Sequence, residues 1–285
     1  MRSMLKSELW KATHNKFFWI SITIGMLLSL CDVVQNWLEV DYLTNLTIEN
    51  LENGIGRGGH GGFSLFVMWI AVNGITFGSR AFYFVLPILA ALPYGWSLSS
   101  EIKSGAIYQY GTRSGKMYYF VSKYVACFIS GGLAVGVPVL VNLLVNALIC
   151  PFAVPNVVSS VSPIRNGCFL SEVYYTAPWL HAIIWCCMDF IWGGVTACLC
   201  FVPKKMGRFS FIVVIFPFAL FYLWDIVYSS ISAQLGCYIS LSPMELTQAA
   251  TLNPNPGWAV WIVICVLGFF GYLVGYWWVV KNEII

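Results

Sequence analysis

Three aspartates sit inside long apolar stretches of this chain: Asp32, Asp189 and Asp225. A carboxylate in hydrocarbon is costly, so each must face protein or a water-filled cavity. Counting from the ends of those stretches puts Asp189 near the middle of its own. Asp32 and Asp225 fall in the outer third, where Arg80 is close enough to serve as a counter-ion. Two roles fit this set. It could form a negative lining along a path for cationic or amphipathic cargo, or it could bind neighbouring Trp, Tyr, Ser or Arg80 and fix helix packing. The remaining reactive groups show no catalytic spacing. The histidines are His14, His60 and His181, and none stands in a His-Glu-x-x-His or comparable ligand pattern. Cys186-Cys187 and Cys198-x-Cys200 lack a second pair at metal spacing. With Cys31, Cys127 and Cys265 they lie in apolar runs, where cysteine acts as a small hydrophobe. Cys150, Cys168 and Cys237 fall near one predicted outer surface, either as free thiols or with a disulfide among them.

The elements that must carry these groups follow from composition. Hydrophobic residues make up 59% of the 285 and charged residues 9%, with mean hydropathy +0.76. A soluble domain carries roughly 25% charged residues to keep its surface in water. This chain cannot do so, and its outer surface is expected to meet lipid. Crossing by helix takes roughly 20 mainly apolar residues. The segments that qualify are about 17–37, 81–99, 118–150, 178–202, 209–231 and 258–280. Phe63–Phe77 is apolar but shorter and follows a glycine-rich run, so it reads as re-entrant or interfacial.

Charge fixes the expected orientation. With the N-terminus inside and six crossings, the inner side holds twelve cations: Arg2, Lys6, Lys11, Lys16, Lys103, Arg113, Lys116, Lys123, Lys204, Lys205, Arg208 and Lys281. The outer side holds three, Arg57, Arg80 and Arg165, as the positive-inside rule requires. The first apolar run has no small residue before Cys31 and no Ala-x-Ala-like site, so it reads as a retained span. Residues 1–16 read as an interfacial helix, with Met1, Leu5, Leu9 and Ala12 on one face and Trp10 at headgroup depth. Gly132-x-x-x-Gly136 and Gly271-x-x-x-Gly275 would let helices approach closely. The glycines and Pro138 of span three predict a kink or tilt there. Tyr94 and Trp96 read as part of an interfacial aromatic belt. The expected fold is an all-α membrane protein, one domain over residues 1–285, in the plasma membrane with both termini cytoplasmic.

The inner loop between spans two and three, residues 97–116, has room for a short helix and a glycine-bounded turn. Glu101 is placed near that helix's N-terminal end, where a carboxylate favours the dipole. An acidic residue after a membrane helix, a glycine four residues on, a Thr-Arg pair and a lysine entering the next helix are Glu101, Gly105, Thr112-Arg113 and Lys123. This pattern resembles the coupling segment of ABC-2-type exporter permeases. The interfacial N-terminus, the six spans and the proline-rich break before the last span (Ser242-Pro243, Asn253-Pro254-Asn255-Pro256) agree with it. The resemblance implies a coupling helix that docks on a cytoplasmic ATPase through Ser100, Glu101, Lys103, Gly105, Tyr108, Thr112 and Arg113. It also implies a second permease, a copy or a paralogue. The chain has no Gly-x-x-x-x-Gly-Lys-[Ser/Thr], so ATP and Mg belong to the separate ATPase.

The implied activity is export of amphipathic peptides, toxin or bacteriocin-like, or of hydrophobic small molecules. The chain itself is expected to be no enzyme, to hold no metal or cofactor, and to bind lipid but no nucleic acid. A secondary transporter or channel remains the main alternative, and would need broken helices or inverted repeats. An intramembrane enzyme is the lesser one: there is no Gly-x-Ser-x-Gly elbow, and His181 stands near a helix end.

Overall fold

The computed structural model describes residues 2–52, 64–155, 164–165, 167–203, 210–236, 239–250, 254–277 and 279. Side chains are described for these except at 2, 43, 44, 46, 47, 50, 51, 111–114, 210 and 235. Every regular element among them is helical. The order is α1 (Arg2–Thr13), α2 (Lys16–Glu52), α3 (Leu65–Met68), α4 (Phe77–Ala91), α5 (Ser97–Ser104) and α6 (Ala106–Ser114). Then come α7 (Lys116–Ile149), α8 (Ser171–Thr176), α9 (Pro178–Cys198), α10 (Ser210–Leu235), α11 (Pro243–Leu246) and α12 (Gly257–Tyr276). Among the described residues five stretches are long and apolar enough to cross a membrane: Lys16–Tyr42, Lys116–Ile149, Pro178–Phe201, Phe211–Gln234 and Gly257–Tyr276. Their outward faces are apolar, with Trp19, Leu27, Leu144, Trp261 and Phe269 among the exposed side chains. That surface suits lipid.

Two elements depart from the expected spans. The second is displaced: α4 covers Phe77–Ala91, only 15 residues, and residues 92–99 do not continue it. Pro93 has no N–H to extend the ladder, and Gly95 N closes a turn on Ala91 O (2.9 Å). At 1.5 Å per residue α4 is about 22 Å long, short of the roughly 30 Å hydrocarbon core. The first helix is longer than its span, because no Gly or Pro interrupts residues 38–52 and α2 runs on to Glu52. α7 is one helix of 34 residues that passes through Pro138.

Most of the expected re-entrant or interfacial piece is buried in protein, with Ile75 and Phe77 exposed at its end. Its glycine-rich approach lies outside the described residues, but Leu65, Phe66, Met68, Trp69, Ile70, Ala71 and Val72 are all buried in the protein. Non-helical backbone at membrane depth survives only where protein satisfies it. Here Leu65 N donates to Pro151 O (3.0 Å) and Ala249 N to Ala71 O (3.0 Å). Trp69 Nε1 donates to Val139 O (3.1 Å), and Ile70 N to Asn142 Oδ1 (3.0 Å).

α7 and α9 form the centre. A Cβ built on Gly131 would lie 2.8 Å from Gly193 O and 2.9 Å from Ala90 O, and one on Gly193 2.7 Å from Gly131 O. The two backbones therefore touch through Gly131 and Gly193 as well as through Gly132. Gly136 is looser, its nearest neighbour at 3.5 Å. Cys150 and Cys168 are free thiols, and Cys237 lies outside the described residues.

Candidate functional site

α1 buries one row of its surface, and that row is Met4, Glu8 and Ala12, one helical turn apart. Met4 and Ala12 pack with Tyr94, Leu98, Ile107, Tyr119 and Phe120. Glu8, carried in between them, is 1% exposed and needs partners. Lys123 supplies one from the first turns of α7: its Nζ lies 3.1 Å from Glu8 Oε2 and 2.9 Å from Glu101 Oε1. Lys11 supplies another, with Nζ 2.8 Å from Glu8 Oε1 and 3.9 Å from Glu101 Oε1. Tyr94 OH donates to Glu8 Oε2 (2.5 Å), and Tyr119 OH donates to Glu101 Oε2. Lys123 also donates to Ser97 Oγ (3.4 Å) and stands 5.0 Å from the Tyr94 ring centroid. Two cations and two anions thus close a neutral node that joins α1, α5 and α7.

Glu101 is the fifth residue of the eight in α5, not in its first turn. Its place is set by Lys123 and Tyr119, not by the helix dipole. Of the other expected coupling residues, Ser100 lines an open cleft of about 370 Å³ with Trp10, Lys11, His14, Asn15 and Trp96. Lys103 is exposed, and Tyr108 is 52% exposed on α6. Gly105 has φ 73°, a left-handed cap separating α5 from α6. Thr112 and Arg113 belong to α6, and their side chains lie outside those described.

The node has a defined pH window. Burial opposes the Glu8 charge, but Lys123, then the Lys11 and Tyr94 hydrogen bonds, outweigh it and hold its carboxyl below the ordinary 4.5. Burial likewise opposes the Lys11 charge, and Glu8 and Glu101 outweigh it, raising Lys11 above 10.5. A depressed acid stabilises the fold above its unfolded pKa and loses this as pH falls through the folded value. A raised base stabilises below its unfolded pKa and loses this as pH rises through the folded value. Spin labels at Ser7 and Ser104, both exposed, should therefore keep one narrow distance at neutral pH. The distribution should broaden only as pH falls below 4.5 or climbs past 10.5.

The aspartates in the apolar stretches occupy separate places. Asp32 is fully buried and accepts from Thr76 Oγ1, Asn142 Nδ2 (2.9 Å) and Asn36 Nδ2 (3.3 Å). The network continues through Asn73 Nδ2 to Asn36 Oδ1 (2.7 Å) and Asn146 Nδ2 to Asn142 Oδ1 (2.9 Å). It ties α2 and α7 to the 64–76 piece. Asp189 is fully buried on α9 and accepts from Tyr83 OH at 3.2 Å. Asp225 is half-buried on α10. Arg80 is exposed and its Nε donates to Gly74 O (2.9 Å). Among the described residues it makes no ion pair with an aspartate.

No family model, curated protein or solved structure matches this chain. The site must be read from its own residues.

Sequence reasoning missed Glu8, Tyr119 and the asparagines, and placed Tyr94 in an interfacial belt although it is 3% exposed. One signal was available. Glu8 stands between Met4 and Ala12 at spacing four, with Lys11 three residues on, so an acid interrupts an otherwise apolar row.

Proposed function

We propose that this chain is the transmembrane permease subunit of an ATP-driven exporter of the ABC-2 type. The observation that carries the reading is the neutral node of Glu8, Lys11, Glu101 and Lys123. A force applied to α5 and α6 from the cytoplasm reaches α7 through Lys123 and α1 through Glu8, without a flexible link between. In this reading α4 and the 92–96 turn complete a sixth crossing, both termini are cytoplasmic, and the chain lies in the plasma membrane. A separate subunit binds ATP and Mg and docks on α5 and α6, and a second permease, a copy or a paralogue, completes the pathway. The cargo is an amphipathic peptide, toxin or bacteriocin-like, or a hydrophobic small molecule. The short connections on the outer side suit such cargo better than a folded protein.

Co-purification tests this. A tagged chain solubilised from its native membrane should bring down a P-loop ATPase whose activity rises on reconstitution with the permease. Charge-reversing Lys103→Glu, an exposed position on α5, should weaken that capture several-fold while leaving the chain folded. Recovery of the intact chain with no ATPase would sink the reading.

A further inference from the structure

α9 carries a pattern that the exporter reading does not use. His181 Nε2, Trp185 Nε1, Asp189 Oδ1, Trp192 Nε1 and Thr196 Oγ1 are all buried without a hydrogen-bond partner. At 3.6 residues per turn, these positions fall within roughly 80° of one another around the helix, and span about 22 Å along it. None of the five residues is more than 1% exposed. Buried polar groups in folded proteins are almost always partnered, so five orphans in one stripe require a common explanation. The indole N–H groups need acceptors and Asp189 Oδ1 needs a donor. Water supplies both, and a line of bridging waters would satisfy all five.

Asp189 lies in the middle of that line. Tyr83 OH on α4 donates to its Oδ2, which leaves Oδ1 without a partner. The groups around it offer no compensating cation among the described residues. α8 presents Tyr174, 5.1 Å from the His181 ring. α7 presents Cys127, bonded to Ala197 O (3.4 Å). α12 presents Val260, Val263, Ile264 and Leu267. Cys186 and Asp32 stand within electrostatic reach of Tyr83 and add no positive charge.

We propose that α9 carries an internal file of hydrogen-bonded water that delivers a proton to Asp189, giving the chain a proton-binding site midway across the membrane. In the binding step a hydronium ion in the file transfers H⁺ to Asp189 Oδ1. One O–H bond forms, one breaks, and a water and a neutral carboxylic acid remain. Release is the reverse. The site is independent of ATPase docking, so it stands or falls separately from the exporter reading.

Two measurements on the full chain in lipid nanodiscs test it. Infrared spectra should show a protonated-carboxyl C=O band that shifts on exchange into D₂O and is lost in Asp189→Asn. If that variant fails to fold, Asp189→Glu should keep the band and move it. Hydroxyl-radical footprinting, which labels side chains beside water, should oxidise Trp185 and Trp192 at least several-fold faster than Trp69. Trp69 is equally buried but its indole is bonded to Val139 O. No band that depends on Asp189, or indoles that label no faster than Trp69, would each overturn the proposal.

Discussion

Lys123→Met is expected to cost about 3–5 kcal/mol, because it leaves two carboxylates facing each other, one of them, Glu8, out of reach of bulk water. Glu8 is 1% exposed and Glu101 partly buried, and among the described residues only Lys11 would remain near both. The loss should appear as a lower thermal midpoint in detergent and a smaller monodisperse fraction on gel filtration. The cost comes from stranded charge and not from lost volume, since methionine fills most of the lysine stem. Adding Glu8→Gln and Glu101→Gln to Lys123→Met should therefore recover most of the stability, as apolar or neutral replacements of buried ion groups commonly do. On the exporter reading the recovered triple variant stays uncoupled, with ATPase bound and cargo not moved. A triple variant no more stable than the single one would show that the node's charges are not what holds α1 to α7.

Asp32→Ala is the second large effect. Its carboxylate is the acceptor for Thr76, Asn36 and Asn142 at once, all buried. Each donor left without a partner costs about 1–3 kcal/mol, so a total of at least about 3 kcal/mol is expected. The damage should be local first. Residues 64–76 are pinned by the same network, through Asn36 Nδ2 to Met68 O (2.6 Å) and Ile70 N to Asn142 Oδ1 (3.0 Å). Amide hydrogen exchange in that piece should rise well before α9 loosens. Asp32→Asn, which keeps one acceptor oxygen, should lose less. Asp225→Ala, at a half-buried position on α10, should stay within about 0.5 kcal/mol of the parent. If Asp32→Ala and Asp225→Ala melted together, the network would be contributing little.

What was legible in the sequence divides along the range of the interactions involved. Hydropathy located α7, α9 and α12 closely, since lipid demands an apolar run whatever its neighbours. The end of α4 was local too, written in Pro93, yet the apolar residues after it masked the stop. Glu101 and Lys123 were singled out through the resemblance to a coupling segment, but their shared partner Glu8 was not, because it lies 93 positions before Glu101. The asparagines that hold Asp32 were harder still: Asn142 is 110 residues away from it, and a lone asparagine in an apolar run carries no sign of its partner. The five-atom stripe on α9 is periodic and could have been read, but only burial tells an unpartnered indole from one in lipid.

The contact between Gly131 and Gly193 has a mechanical consequence. Where two backbones meet with no side-chain layer between them, there are no rotamers to reshuffle and little room to shear. α7 and α9 must then translate as one plank, and any push arriving at Lys123 carries Asp189 with it. The sliding surface has to lie elsewhere. α10 has the smallest buried share among the five long apolar helices, 22% of its apolar window, and packs chiefly against α4 rather than against that plank.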